Sequence, residues 1–233
     1  FLYFLMEQFE DAEAMFTTVH DQWLRQFGAD RQNTLKAANN LARVQRRLGK
    51  LVEAEGLTLD TLTRRTAALG EDHLDVVRST IDLGDLYIDL DRLAEAEEIL
   101  TKALERAEYL LGEQHPYTFD AVNALARVKE AAGKTDEAIE VRGLGFQRRS
   151  EYFDRLLWVT GENAREGYLR LHRPEFNDYV SLIAESAGDI AGKRLIEVAL
   201  KRKGLLLKVT SEVQQIAQLS NDPKLAATTV ELE

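Results

Sequence analysis

Four alanines set a period on this chain. Ala12, Ala54, Ala96 and Ala138 fall 42 residues apart, inside matching boxes: Phe9-Glu10-Asp11-Ala12-Glu13, Leu51-Val52-Glu53-Ala54-Glu55, Leu93-Ala94-Glu95-Ala96-Glu97 and Thr135-Asp136-Glu137-Ala138-Ile139. The same spacing carries Phe27-Gly28, Leu69-Gly70 and Leu111-Gly112, and also Leu41-Ala42, Leu83-Gly84 and Leu125-Ala126. Gly-Glu-Asp-His (70–73) returns as Gly-Glu-Gln-His (112–115), followed by Pro116. A fixed period of roughly 20–50 residues means stacked units, each burying its apolar face against its neighbours.

Each unit reads as two helices. In the third, Val76, Thr80, Leu83, Leu86, Tyr87 and Leu90 recur at helical spacing. A short break follows at Leu48-Gly49-Lys50, Leu90-Asp91-Arg92 and Ala132-Gly133-Lys134. The second helix then runs from the acidic box to a Leu-Gly stop, where glycine can take a left-handed cap. Small residues at Ala42, Gly84 and Ala126 are expected to face Ala54, Ala96 and Ala138, allowing close helix approach. Only three prolines and fourteen glycines occur, too few turn signals for a many-stranded fold, while 45% hydrophobic residues suffice for a core. The expectation is an all-α superhelix of antiparallel helix pairs over residues 1–150, then a helical linker or bundle over 151–233.

The pattern resembles the tetratricopeptide repeat (TPR) of the 42-residue kind found in kinesin light chain, about 3.5 repeats long. The first repeat is incomplete, since Tyr3 falls at the register of Tyr87 and most of its first helix lies upstream. The fourth departs, with Thr135 where Phe9, Leu51 and Leu93 stand and Lys129 where Tyr3 and Tyr87 stand. The superhelix is expected to end there. The resemblance implies an inner face lined by the first helix of each pair. It falls on Lys36, Asn39, Arg43, Arg46 and Arg47 in the second repeat. In the third it falls on Arg78, Ile81, Asp85, Ile88 and Asp89, and in the fourth on Asp120, Asn123, Arg127, Glu130 and Ala131.

Residues 31–50 hold Arg31, Lys36, Arg43, Arg46, Arg47 and Lys50 and no acid, a reversal of sign in a chain of net charge −10. One reading is a docking patch for an acidic peptide, with arginines gripping carboxylates and Asn39 and Asn123 bonding its backbone. The other is a solvated face that pairs with the acidic helices 51–60 and 91–98. A protein or peptide partner follows from the first. Nucleic acid is not expected, because the net charge is acidic and no aromatics interleave with the basic residues.

No cysteine occurs, so no disulfide, thiolate metal site or cysteine nucleophile exists in this chain. His73 and His115 belong to the repeat and read as helix-start packing, while His20 and His172 have no ligand partner at useful spacing. No zinc-protease, phosphate-loop or Gly-x-Ser-x-Gly pattern is present. The expectation is a non-enzymatic chain without metal or cofactor. No apolar stretch approaches the ~18 residues of a membrane span. The start Phe1-Leu2-Tyr3-Phe4-Leu5-Met6-Glu7 lacks the basic region of a signal peptide. A cytoplasmic fragment of a longer protein is expected.

Past residue 150 the period stops. The last repeat helix is expected to run on through Tyr152, Phe153, Leu156, Leu157 and Trp158. Thr160-Gly161-Glu162, Arg173-Pro174-Glu175 and Gly188-Asp189 read as helix starts, and Ser220-Asn221-Asp222-Pro223 as a stop. Arg165-Glu166-Gly167-Tyr168-Leu169, an apolar helix at Tyr179–Ala187, Arg202-Lys203-Gly204-Leu205-Leu206-Leu207 and Asp222-Pro223-Lys224-Leu225 follow in order. That order resembles the helical region joining TPR arrays to caspase-like domains in the bacterial CHAT proteases. The resemblance implies a regulatory arm, with a His–Cys catalytic domain downstream of this chain. The alternatives are a stand-alone TPR adaptor and the sensor arm of a nucleotide-binding signalling protein.

Overall fold

The 42-residue unit is filled by an inner helix of 16 residues and an outer helix of 19, joined by short turns. The structure, a computed structural model, describes residues 8–157 and 173–186. In order come α1 (Phe9–Phe27), α2 (Gln32–Arg47), α3 (Leu51–Leu69), α4 (Leu74–Asp89), α5 (Leu93–Leu111), α6 (Pro116–Ala131), α7 (Thr135–Leu157) and α8 (Arg173–Glu185). No strand occurs among the described residues. The chain divides into two compact units, Phe1–Arg149 and Ser150–Glu233. In the first, α1 to α6 each pack against their sequence neighbours, and the inner helices α4 and α6 also touch each other. In the second, α8 begins at the expected Arg173-Pro174 and buries Tyr179 and Ile183. The expected starts at Thr160 and Gly188, the stop at Ser220 and most of the CHAT-like pattern lie outside the described residues.

The alanine line behaves as its period implies. Ala12, Ala54, Ala96 and Ala138 are almost wholly buried. Gly84 differs from the expectation in its neighbour: the side chain nearest to it is Leu100, one turn beyond Ala96. The sister repeats carry Ala42 or Ala126 opposite smaller or polar residues, Thr58 and Arg142. The larger Leu100 takes up the room that a methyl at position 84 would need. Around this contact lies a core of Val77, Leu83, Tyr87, Leu100, Ala103, Leu125 and Val128, spanning α4, α5 and α6.

Turn chemistry repeats as well. Gly28, Gly70 and Gly112 close the outer helices at φ of 85°, 79° and 83°. Their ψ lies at 170°, 161° and 165°, so they occupy the extended region open to glycine alone rather than the left-handed cap expected from sequence. The tight turns between inner and outer helices use Gly49 and Gly133 at φ of 74° and 71°, with Asp91 at the same register at 57°. The recurring histidines are caps. The Asp75 N–H donates to His73 Nδ1 (3.1 Å) and the Tyr117 N–H to His115 Nδ1 (3.2 Å).

Two charge ladders run along the stack. Glu13 pairs with Lys50, Glu55 with Arg92 and Glu97 with Lys134, the same offset of 37 residues in each case. Arg64 holds Asp30, Arg106 holds Glu71 and Asp72, and Arg148 holds Glu108 and Glu113. Lys129, which stands where the first and third repeats have Tyr3 and Tyr87, pairs with Glu97 and Glu137 (2.5 Å each).

Candidate functional site

Side chains from the same registers of α2, α4 and α6 meet on one face because stacked repeats bring equivalent helix surfaces side by side. Arg46 bridges two aspartates of α4, Nη1 to Asp85 Oδ2 (2.9 Å) and Nε to Asp89 Oδ2 (2.9 Å). Arg43 Nε lies 3.5 Å from Asp82 Oδ1. Arg127 of α6 pairs with the other oxygen of Asp85. Asp85 therefore stands between two arginines from flanking repeats, and it is only 18% exposed. Four of the ten candidate residues, Arg46, Asp85, Asp89 and Arg127, thus form one ion-pair cluster, and a fifth, Arg43, pairs with Asp82 of the same helix.

The remaining five are placed differently. Asn39 is 3% exposed and spent internally: its Nδ2 donates to Asp82 Oδ2 (2.7 Å), and its Oδ1 accepts from Ser79 Oγ (3.3 Å). It holds Asp82 in place and does not present an amide to a peptide backbone. Asn123 is half-buried. Arg47 is exposed and lies over the Phe9 ring, 5.3 Å from its centre. Arg78 lies over Tyr117 at 5.8 Å. Lys36 is exposed and has no ion pair among the described residues.

The charge reversal at 31–50 is met inside the array at Arg43, Arg46 and Lys50. Arg43 and Arg46 pair with Asp82, Asp85 and Asp89 of the next inner helix, not with the acidic helices 51–60 and 91–98 proposed in the second sequence reading. Helices in the same layer are side-by-side neighbours, so the complementary acids lie about one repeat further on. An offset of 39 residues, 43 to 82 and 46 to 85, was the sequence signal for it.

A polar relay missed by sequence reasoning lies beneath this cluster. Arg65 of α3 is 3% exposed. Its Nη1 donates to Ser79 Oγ (2.7 Å) and to the Asp75 carbonyl (3.1 Å), and Ser79 in turn donates to Asn39. The chain of contacts runs Arg65, Ser79, Asn39, Asp82, Arg43, from the interior to the shared face. Sister repeats carry Trp23, Ala107 and Arg149 at the register of Arg65, and Ala37 and Ala121 at that of Ser79. Burial pulls the Arg65 guanidinium below its ordinary value. It also pushes the Asp82 carboxyl up, against the pull of Arg43, the Asn39 hydrogen bond and Arg78. Asp120 is raised by the same cause, although it is accessible at the surface, with Asp85 and Asp82 adding to the shift and Arg149 and Arg43 opposing it.

Among the described residues, no group of histidines and acids could hold a metal ion, and no helix is long and apolar enough to cross a membrane. What remains is a stack of antiparallel helix pairs whose inner helices display a charged face, the form of a helical-repeat binding scaffold. The tetratricopeptide repeat profile matches residues 1–57, 49–109 and 79–141, and the chain belongs to that family. Such repeats generally mediate protein–protein interaction and carry no catalytic machinery.

Solved structures show the same fold. The nearly identical TPR-like repeats of a kinesin light chain from Podosopora anserina match with a TM-score of 0.62 at 18% identity, over 87% of this chain and 91% of that one. A substituted form of that protein matches with 0.55 at 21% identity, over 64% and 71%. BtubC (BKLC) from P. vanneervenii matches with 0.58 at 17% identity, over 88% and 77%. At these identities the likeness is one of fold. No curated protein matches the chain.

Proposed function

We propose that this chain is a protein-binding module whose inner face, on α2, α4 and α6, takes an acidic segment of a partner protein. The observation that carries it is the set of three guanidinium groups, Arg43 and Arg46 on α2 and Arg127 on α6, held in fixed orientation by the aspartates of α4 between them and partly open to solvent. A guanidinium has five N–H donors, and these pairs use only some of them. Those left on Arg46 and Arg127 are pre-oriented for a carboxylate or a carbonyl. Lys36 and Arg47 flank the set without a carboxylate of their own.

The test must respect the internal pairs. Reversing Arg46 would set a glutamate against Asp85 and Asp89 and disturb the array itself. Lys36→Glu with Arg47→Glu leaves those pairs intact. Random peptides displayed on phage and selected on the full chain should be rich in Asp and Glu and should lose binding to the double variant, at an unchanged thermal midpoint. Neutral or basic peptides, or acidic peptides indifferent to the double substitution, defeat the proposal.

The resemblance of 165–225 to the region before caspase-like domains supports a regulatory role in a bacterial, cytoplasmic TPR–CHAT protease. Residues 1–150 would then capture the partner, and 151–233 would pass the event to the protease. The expected finding is a downstream coding sequence for a His–Cys dyad in an α/β domain. An upstream phosphate-binding loop would instead mark the sensor arm of a nucleotide-binding signalling protein.

A further inference from the structure

The inner face holds two kinds of charged register. In one, the charges are satisfied within the array, since Arg43, Arg46 and Arg127 are each held by aspartates of α4. In the other, at positions 36, 78 and 120, one repeat apart, no ion pair is closed among the described residues, and opposite charges act only at longer range, Arg78 on Asp82 and Arg149 and Arg43 on Asp120. Lys36 is exposed, Arg78 rests on an aromatic ring, and Asp120 is accessible with no hydrogen bond or ion pair among the described residues. Along the stack this open register reads plus, plus, minus.

From that order we infer that the partner segment is not uniformly acidic but bipolar: two acidic side chains meet Lys36 and Arg78, and a basic side chain, Lys or Arg, meets Asp120. The inference rests on the binding role proposed above for this face and adds the charge pattern of its occupant. Packed helices stand about 8–10 Å apart. An extended chain advances about 3.3 Å per residue. Successive complementary residues therefore fall about three apart, as acid-x-x-acid-x-x-base. Burial that raises the Asp120 carboxyl in the free protein also favours a cation brought to it.

The test is the same displayed-peptide selection on the full chain, followed by fluorescence anisotropy with the best synthetic peptide. The selected peptides should carry two acids and then a base at about three-residue steps. Asp120→Lys should weaken the wild-type peptide by roughly five- to tenfold and, in a fresh selection, turn the basic position acidic. The milder Asp120→Asn should weaken it less and leave the first two positions unchanged. Helicity and thermal midpoint are followed for both variants. Peptides with acids alone that bind wild type and Asp120→Lys equally would overturn the bipolar pattern while leaving the acidic-segment role standing. No enrichment, or binding indifferent to Lys36→Glu with Arg47→Glu, would overturn both.

Discussion

Single residues decide how closely one repeat can copy another. Gly84 stands where its sisters have alanine because Leu100 fills the space where a Cβ would sit. Gly84→Ala should therefore destabilise the chain by about 1–3 kcal/mol, the usual cost of overpacking, although it looks like a consensus substitution. Adding Leu100→Thr, the residue of the second repeat, should recover part of that loss in chemical denaturation. Asp120 gives a second test. Its carboxyl titrates above the ordinary value of 3.8 in the fold, chiefly because burial disfavours the charge. The folded state then binds the proton more tightly, so stability falls as pH rises from that value through the folded one. Asp120→Asn should raise the thermal midpoint at pH 7, and the gain should fade as pH falls towards and then well below 3.8, where both states of the wild type become protonated.

Elements obey the period more faithfully than their side chains do. The helices α2 to α6 and the glycine stops were legible because a 42-residue recurrence leaves little freedom in where helices begin and end. Side-chain partners were less legible. The basic run 31–50 looked for its acids in neighbouring outer helices, while the stack lays α2 beside α4. Asn39 matched an inner-face register, yet two non-repeating residues, Ser79 and Asp82, draw it inward. Arg65 was unreadable as a core residue, since a charge at that register suggests exposure unless its buried partners are known. The histidines showed their recurrence but not their role, because histidine is seldom a cap. As caps, His73 and His115 each satisfy one backbone donor at a helix start. His115→Ala should cost about 1 kcal/mol, and His115→Asn, which can accept the same bond, should restore most of it in a denaturant titration.

At the scale of the whole molecule, a repeat array has no single centre, and its stability is roughly the sum of units and junctions. The described apolar cluster is concentrated in α4, α5 and α6. By contrast, α1 buries only Ala12 and leaves Met15, Leu24 and Phe27 exposed. Hydrogen exchange should therefore be slowest in α4 to α6 and fastest in α1, with α2 and α3 between them. Uniform protection across the first unit would mean that it opens as one cooperative block instead.

The glutamate-to-cation ladder has an architectural corollary. At each junction one repeat offers the acid, from Glu13, Glu55 or Glu97, and the next offers the base, at Lys50, Arg92 or Lys134. The two middle units thus have a socket on one side and a plug on the other, while the first carries Gln8 at the plug register and the fourth Ile139 at the socket register. Internal duplication of a middle unit would leave this ladder matched at the new junction, and the fixed order of acid and base gives the array a direction.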